Sequence, residues 1–165
     1  MSLVVVQESG MDFPLDDTKT FFIEKSSFVN KLNGFQLCEY VTIDNNSRVN
    51  MVEAKTSFAK PTNTQDFEED IQEIVDKYSD SLQIFNALLL RHPLESSVAQ
   101  MTGVNLRNAD YLLVFVVKSL SLDGLPPIMN ALKSRMKSVL KLWNIPDSFL
   151  KVFNEDKARA FGIIR

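Results

Sequence analysis

Two hydrophobic periodicities divide this chain. From Phe35 to Lys55 apolar and polar residues alternate, with Leu37, Val41 and Ile43 before a polar quartet and Val49 and Met51 after it. A repeat of two is the spacing of side chains on one face of a strand, and Asp44-Asn45-Asn46-Ser47 is turn chemistry, so the segment predicts a β-hairpin. After the breaker Ala59-Lys60-Pro61-Thr62-Asn63 the spacing changes to three and four. Phe67, Ile71, Ile74, Val75, Tyr78, Leu82, Phe85 and Leu89 then fall on one stripe, which predicts a long amphipathic helix. Thr64 or Asp66 is placed to cap it, and Glu68, Glu69 and Asp70 suit the positive end of its dipole.

Residues 111–117, Tyr-Leu-Leu-Val-Phe-Val-Val, are too few for a helix and rich in strand formers, so they predict a central strand covered on both faces. Gly124-Leu125-Pro126-Pro127 opens a second helix, with Ile128, Leu132, Met136, Val139, Leu140 and Trp143 inward. Its outward Lys133, Lys137 and Lys141 read either as a solvated face or as phosphate contacts. Pro146 ends that helix, and a short helix is expected around Asp147 to Asn154. Near the N-terminus, Leu3 to Gln7 and Thr20 to Glu24 read as strands, with Ser26 or Ser27 capping a short helical turn. Together these elements predict one α/β domain over residues 1–165, a mixed central sheet flanked by helices with extra N-terminal strands. No repeat or low-complexity tract interrupts it.

Register decides which residues of the hairpin share a surface. Pairing Asp44 with Arg48 sets Ile43 against Val49, Val41 against Met51, Glu39 against Glu53 and Leu37 against Lys55. A two-residue loop would instead set apolar residues against Arg48, Asn50 and Ala54, wasting burial, so the first register is expected. It places Glu39, Glu53 and Lys55 at the open end of the apolar face and Cys38 on the opposite face, as a small core residue. Two carboxylates facing each other across a ladder repel, and partial burial raises the cost. A hard divalent cation offsets that cost, because it takes oxygen ligands from carboxylates, a main-chain carbonyl and water. Lys55, one pleat from Glu53, is then placed to orient water or to face a phosphate. The competing reading is an exposed sheet end in which Lys55 pairs with a glutamate, an arrangement of small energetic weight.

Composition narrows the chemistry. A single cysteine, Cys38, excludes an intrachain disulfide, and with the lone His92 it cannot furnish a structural zinc site. His92 sits in Arg91-His92-Pro93, where it reads as a surface or capping residue rather than part of a catalytic triad. The five glycines are scattered, so there is no glycine-rich phosphate loop. No apolar run has the length of a membrane span, and Met1-Ser2-Leu3-Val4-Val5-Val6 lacks the basic leader of a signal peptide, so a cytoplasmic protein is expected. The net charge of −3 conceals an asymmetry: residues 1–80 carry 7 basic and 15 acidic side chains, residues 81–165 carry 11 and 6. An acidic total argues against coating nucleic acid non-specifically, while the basic half leaves room for a local phosphate-facing patch.

Cys38-Glu39-Tyr40-Val41, a turn, then Val52-Glu53-Ala54-Lys55-Thr56-Ser57 resembles the active-site hairpin of the PD-(D/E)XK nuclease superfamily. The wording Val-Glu-Ala-Lys is similar to that of small bacterial members. The resemblance covers the hairpin and the helix and strand after it, and it implies a restriction-endonuclease-like core. It further implies Glu39 and Glu53 as ligands of Mg²⁺ or Mn²⁺, the Ala54 carbonyl as a third ligand, Lys55 as the catalytic lysine, and Glu24 as a candidate extra acid. The chain departs from the pattern in carrying Glu39 where aspartate is usual, with no proline before it, and in lacking Gln-x-x-x-Tyr in the helix. Two functions remain open at this point. One is a metal-dependent phosphodiesterase acting on nucleic acid through Glu39, Glu53 and Lys55. The other is a non-catalytic nuclease-fold protein that binds or regulates partners, as a homo-oligomer, consistent with the acidic balance.

Overall fold

The computed structural model describes residues 2–92, 95–101 and 103–165, apart from the side chains of Ser96, Ser97 and Ala99; Pro93 of the predicted helix end lies outside them. Two strands, β1 (Leu3–Glu8) and β2 (Met11–Asp16), form an antiparallel hairpin of their own. Its two-residue turn, Ser9-Gly10, has φ of 51° and 71°, the left-handed pair that matches strand twist. Strand β2 lies outside the elements expected from the pattern, although Met11, Phe13 and Leu15 alternate and are all buried.

Five further strands form the central sheet in the order β3 (Thr20–Phe21), β4 (Tyr40–Ile43), β5 (Val49–Lys55), β6 (Tyr111–Val117) and β7 (Leu150–Asn154). The first two pairings are antiparallel and the last two parallel. The chain is therefore mixed α/β. Helix α1 (Thr64–Arg91) carries it from β5 to β6 and α2 (Leu125–Leu142) from β6 to β7. Both pack on one face of the sheet, where Ile71, Ile74, Leu82, Ile128, Leu132 and Met136 meet Val41, Val49, Met51, Leu113 and Phe115. On the other face, Met11, Phe13 and Leu15 of β2 and Ala158 of α3 (Glu155–Ala160) cover Tyr40, Val52, Ala54, Val114 and Val116. Strand β6 lies between two parallel neighbours with both faces covered, as its unbroken apolar run requires. Among the described residues no helix is long and apolar enough to cross a membrane.

Three expectations need correction. The strand expected from Thr20 to Glu24 stops at Phe21, and Ile23–Lys25 is a 3-10 turn followed by another at Val29–Lys31, whose Val29 N–H donates to the Ser26 hydroxyl. The helix expected from Asp147 to Asn154 is a single 3-10 turn, Asp147–Phe149, leading into β7. There Leu150, Val152 and Phe153 bury against a parallel neighbour, and that tertiary contact outweighs local helical spacing. The expected hairpin from Phe35 also pairs later, since β4 begins only at Tyr40.

Candidate functional site

The hairpin register is the one that burial selects: Ile43 opposes Val49, Val41 opposes Met51, and the Asp44 N–H donates to the Arg48 carbonyl at 3.0 Å. The Asp44 carboxylate closes the turn by accepting from Asn46 N at 2.8 Å and Arg48 N at 3.1 Å. The ladder does not extend to Glu39. Tyr40 is the Cα partner of Val52, yet the Glu39 N–H also donates to the Val52 carbonyl, at 3.0 Å. Two residues thus face one, the pattern of a β-bulge, which shifts side-chain parity by one. Glu39 does not oppose Glu53 in the ladder, and Leu37 does not oppose Lys55. The shift also corrects Cys38, which lies in the helix-side core with Val41 and Met51 rather than on the face away from it. Cys38 is fully buried, with its N–H donating to the Ser81 hydroxyl at 2.9 Å, and burial pushes its thiol up to about 12, so it behaves as a small core residue.

Despite the bulge, Glu39, Glu53, Ala54 and Lys55 line one open cleft of about 400 Å³ at the carboxyl end of β5. Ser9, Thr56 and Ser57 complete one rim, and Asp70, Glu73 and Lys77 of α1 the other. The turn of the N-terminal hairpin stands where β4 has left the strand: the Ser9 hydroxyl donates to the Ala54 carbonyl at 2.9 Å, and Lys118 Nζ donates to the Gly10 carbonyl at 2.7 Å. The carbonyl expected to ligate metal therefore already accepts one hydrogen bond and retains a second lone pair. Glu24 lies outside this cleft, exposed on its 3-10 turn, in an adjoining recess that shares Lys77.

Two lysines divide the acids between them. Lys55 Nζ donates to Asp70 Oδ1 at 2.8 Å and Glu73 Oε2 at 2.7 Å, and it lies 5.7 Å above the ring of Phe58. Phe58 is wedged edge-on against Phe67 and Phe115, and Asp70 also accepts from the Ala59 N–H, so the loop after β5 is fixed from both sides. Burial pulls the Lys55 ammonium down, but its bonds to Asp70 and Glu73 outweigh that and hold it above the ordinary value. Lys77 Nζ donates to Glu53 Oε1 at 2.8 Å. Glu53 is 1% exposed, and its second oxygen, Oε2, has no partner among the described residues. Desolvation pushes Glu53 up to about 7 against the pull of Lys77, and desolvation followed by the charge of Glu53 raises Glu39 well above the usual carboxylate range. The competing reading, with Lys55 paired to a glutamate at an exposed sheet end, captures the Lys55–Glu73 contact but not the burial of Glu53.

Glu73 and Lys77 are not among the residues expected in the site, and Asp70 is expected only at the helix dipole. Their signal was available: they fall at i, i+3 and i+7, a polar stripe beside the apolar one formed by Phe67, Ile71, Ile74 and Tyr78. His92, the helix C-cap, is exposed with its ring 4.8 Å from that of Phe28, which fits a capping residue. Among the described residues no group of three or more His, Cys, Asp or Glu side chains is arranged to hold a metal ion. The nearest approach is Glu53, with its orphaned oxygen, and Glu39, whose carboxyl is raised by burial and then by the charge of Glu53, a donor set suited to a hard cation. Comparison with protein-family models, with curated proteins and with solved structures finds no match.

Proposed function

We propose that the chain is a metal-dependent phosphodiesterase acting on nucleic acid, built on a restriction-endonuclease-like core, with Glu39, Glu53 and Lys55 as its working residues. One observation carries the reading: a carboxylate that is 1% exposed has one oxygen without a partner among the described residues, beside an open cleft it shares with Glu39, Ala54 and Lys55. An unsatisfied buried carboxylate oxygen is costly, and such a cost persists in native proteins chiefly where it serves function. Glu53 and Glu39 would hold Mg²⁺ or Mn²⁺, with the Ala54 carbonyl as a further donor and Glu24 contributing charge from the adjoining recess. The ion, when bound, supplies Lewis acidity and a more acidic water. Lys55, held protonated by Asp70 and Glu73, would orient the attacking water or face a phosphate once a bound cation offsets those carboxylates.

The second reading, a non-catalytic nuclease-fold protein that binds or regulates partners, as a homo-oligomer, also has an observation in its favour. The cleft is lined by four carboxylates and two lysines, and each lysine already has a carboxylate partner, so without a cation it repels a polyanion. Single- and double-stranded DNA and RNA incubated with Mg²⁺ or Mn²⁺ separate the two. Under the enzyme reading cleavage occurs, vanishes in Lys55→Ala with metal binding retained, and vanishes in Glu53→Ala together with metal binding. Metal binding without cleavage of any of these substrates favours the second reading, and cleavage undiminished in Lys55→Ala assigns the activity to a contaminant.

A further inference from the structure

The cleft contains a cation of its own. Lys77, with a side chain 16% exposed, reaches from α1 to place its ammonium 2.8 Å from Oε1 of the most buried carboxylate in the site. Glu39 lines the same cleft, and Glu24 lines the adjoining recess that Lys77 also borders, so this ammonium stands among Glu53, Glu39 and Glu24. These are the same three acids that the hairpin pattern and the resemblance assign to a metal. Glu53 Oε2 meanwhile has no partner among the described residues, so the ammonium serves one of the two carboxylate oxygens.

We infer that Lys77 is the resident counter-ion of this carboxylate set, and that a divalent cation binding Glu53 displaces its ammonium into the cleft. The inference rests on the proposed metal site. Its physical basis is charge: a divalent ion on the Glu53 carboxylate repels an ammonium sharing that carboxylate twice as strongly as a monovalent ion at the same distance would. The displaced ammonium then stands beside Lys55 without a carboxylate partner, so cation binding turns a cleft with no spare positive charge into one that accepts a phosphate. Lys77 is in this sense a positioning residue, acting through Glu53.

The test reads Lys77 directly in the unaltered protein. Trace acetylation at pH 8.5, followed by mass spectrometry, gives the reactivity of Lys77 relative to Lys60, which is exposed in the loop after β5. The ratio should be low with chelator and rise several-fold with saturating Mn²⁺, and Glu53→Gln should show the high ratio without metal. A ratio that stays low while calorimetry on the same sample shows Mn²⁺ bound overturns the displacement but leaves the metal site standing. Absence of Mn²⁺ binding in the parent overturns both. In calorimetry, Lys77→Met should bind Mn²⁺ about tenfold tighter, because the competing state is gone, while Lys77→Arg should not. Equal affinity in Lys77→Met and the parent counts against the inference, and the acetylation of the parent decides the matter even if the variant does not fold.

Discussion

The two halves of β5 present one face to one helix and behave in opposite ways. Val49 and Met51, both 0% exposed, oppose Ile43 and Val41 and pack under α1 in the main core. Glu53 and Lys55 continue the same alternation toward the same helix and meet Asp70, Glu73 and Lys77. In the first half, burial is the favourable term. In the second it is a cost, offset for Lys55 by two carboxylates and for Glu53 by one ammonium on one of two oxygens. The strand thus runs from where the sheet is held together to where it carries unsatisfied charge, and the change occurs within two residues, where β4 bulges away.

The largest effect should come from breaking the apolar half. Met51→Ala removes a fully buried side chain between sheet and helix and should cost about 2–5 kcal/mol of unfolding free energy, read by urea denaturation. A cost under about 1 kcal/mol would mean the core collapses into the gap and that this half is less rigid than its packing implies. Lys77→Met attacks the charged half by stranding Glu53. It should cost about 2–3 kcal/mol at pH 8.5 and clearly less at pH 6, where the stranded carboxyl takes up a proton. An equal loss at both pH values would show that the lysine stem, not its charge, is what matters there.

The pH dependence of the parent sharpens the contrast, since only the charged half titrates near neutrality. Glu53 is raised to about 7 in the folded chain, so its favourable contribution is complete below its ordinary value near 4.5 and is lost as pH rises through 7. Glu39, raised by burial and by Glu53, acts in the same direction. Asp44 acts oppositely but lower: hydrogen bonds from Arg48 and Asn46 outweigh its desolvation and hold it below the ordinary value, so its contribution fails only in acid. With chelator present, stability should therefore fall by about 1–2 kcal/mol from pH 5 to pH 8 in urea titrations. A stability that rises over that interval would place both glutamates in water.

Much of this was legible in the sequence, and the limits have physical causes. The turn at Asp44, the pairing of Val41 with Met51, the stripe of α1 and the double burial of β6 follow from periodicity, because each buries hydrocarbon and a one-residue slip would expose it. The bulge at Glu39 did not follow, since the alternation of the hairpin carries no sign of it and the Ala54 carbonyl beside it is taken up by Ser9, 45 residues away. Strand β7 was read as helix because its pairing with β6 is non-local. Within the cleft, the hairpin residues were visible from alternation and resemblance. The α1 residues that hold the two lysines and acids together were not, because polar positions on a helix flank look alike until a strand is laid against them.

The smallest expected shift is also the most informative about which half of β5 carries chemistry. Glu53→Gln keeps the shape of the side chain and leaves a carbonyl oxygen for Lys77, but it removes a charge that burial disfavours at neutral pH. Two effects oppose each other: loss of a charge-assisted bond to Lys77 and relief of desolvation together with repulsion on Glu39. The raised value of Glu53 says that relief wins above pH 7, so with chelator at pH 8 the variant should equal the parent or exceed it by about 1 kcal/mol. At pH 5, where the parent carboxyl is itself largely protonated, the gain should vanish. Excess Mn²⁺ at pH 8 should then stabilise the parent by mass action and the variant much less, reversing their order. Thermal melts of the two proteins under these conditions suffice. A variant less stable than the parent at pH 8, with neither responding to Mn²⁺, would make Glu53 and Lys77 an ordinary buried ion pair and remove the difference between the two halves of the strand.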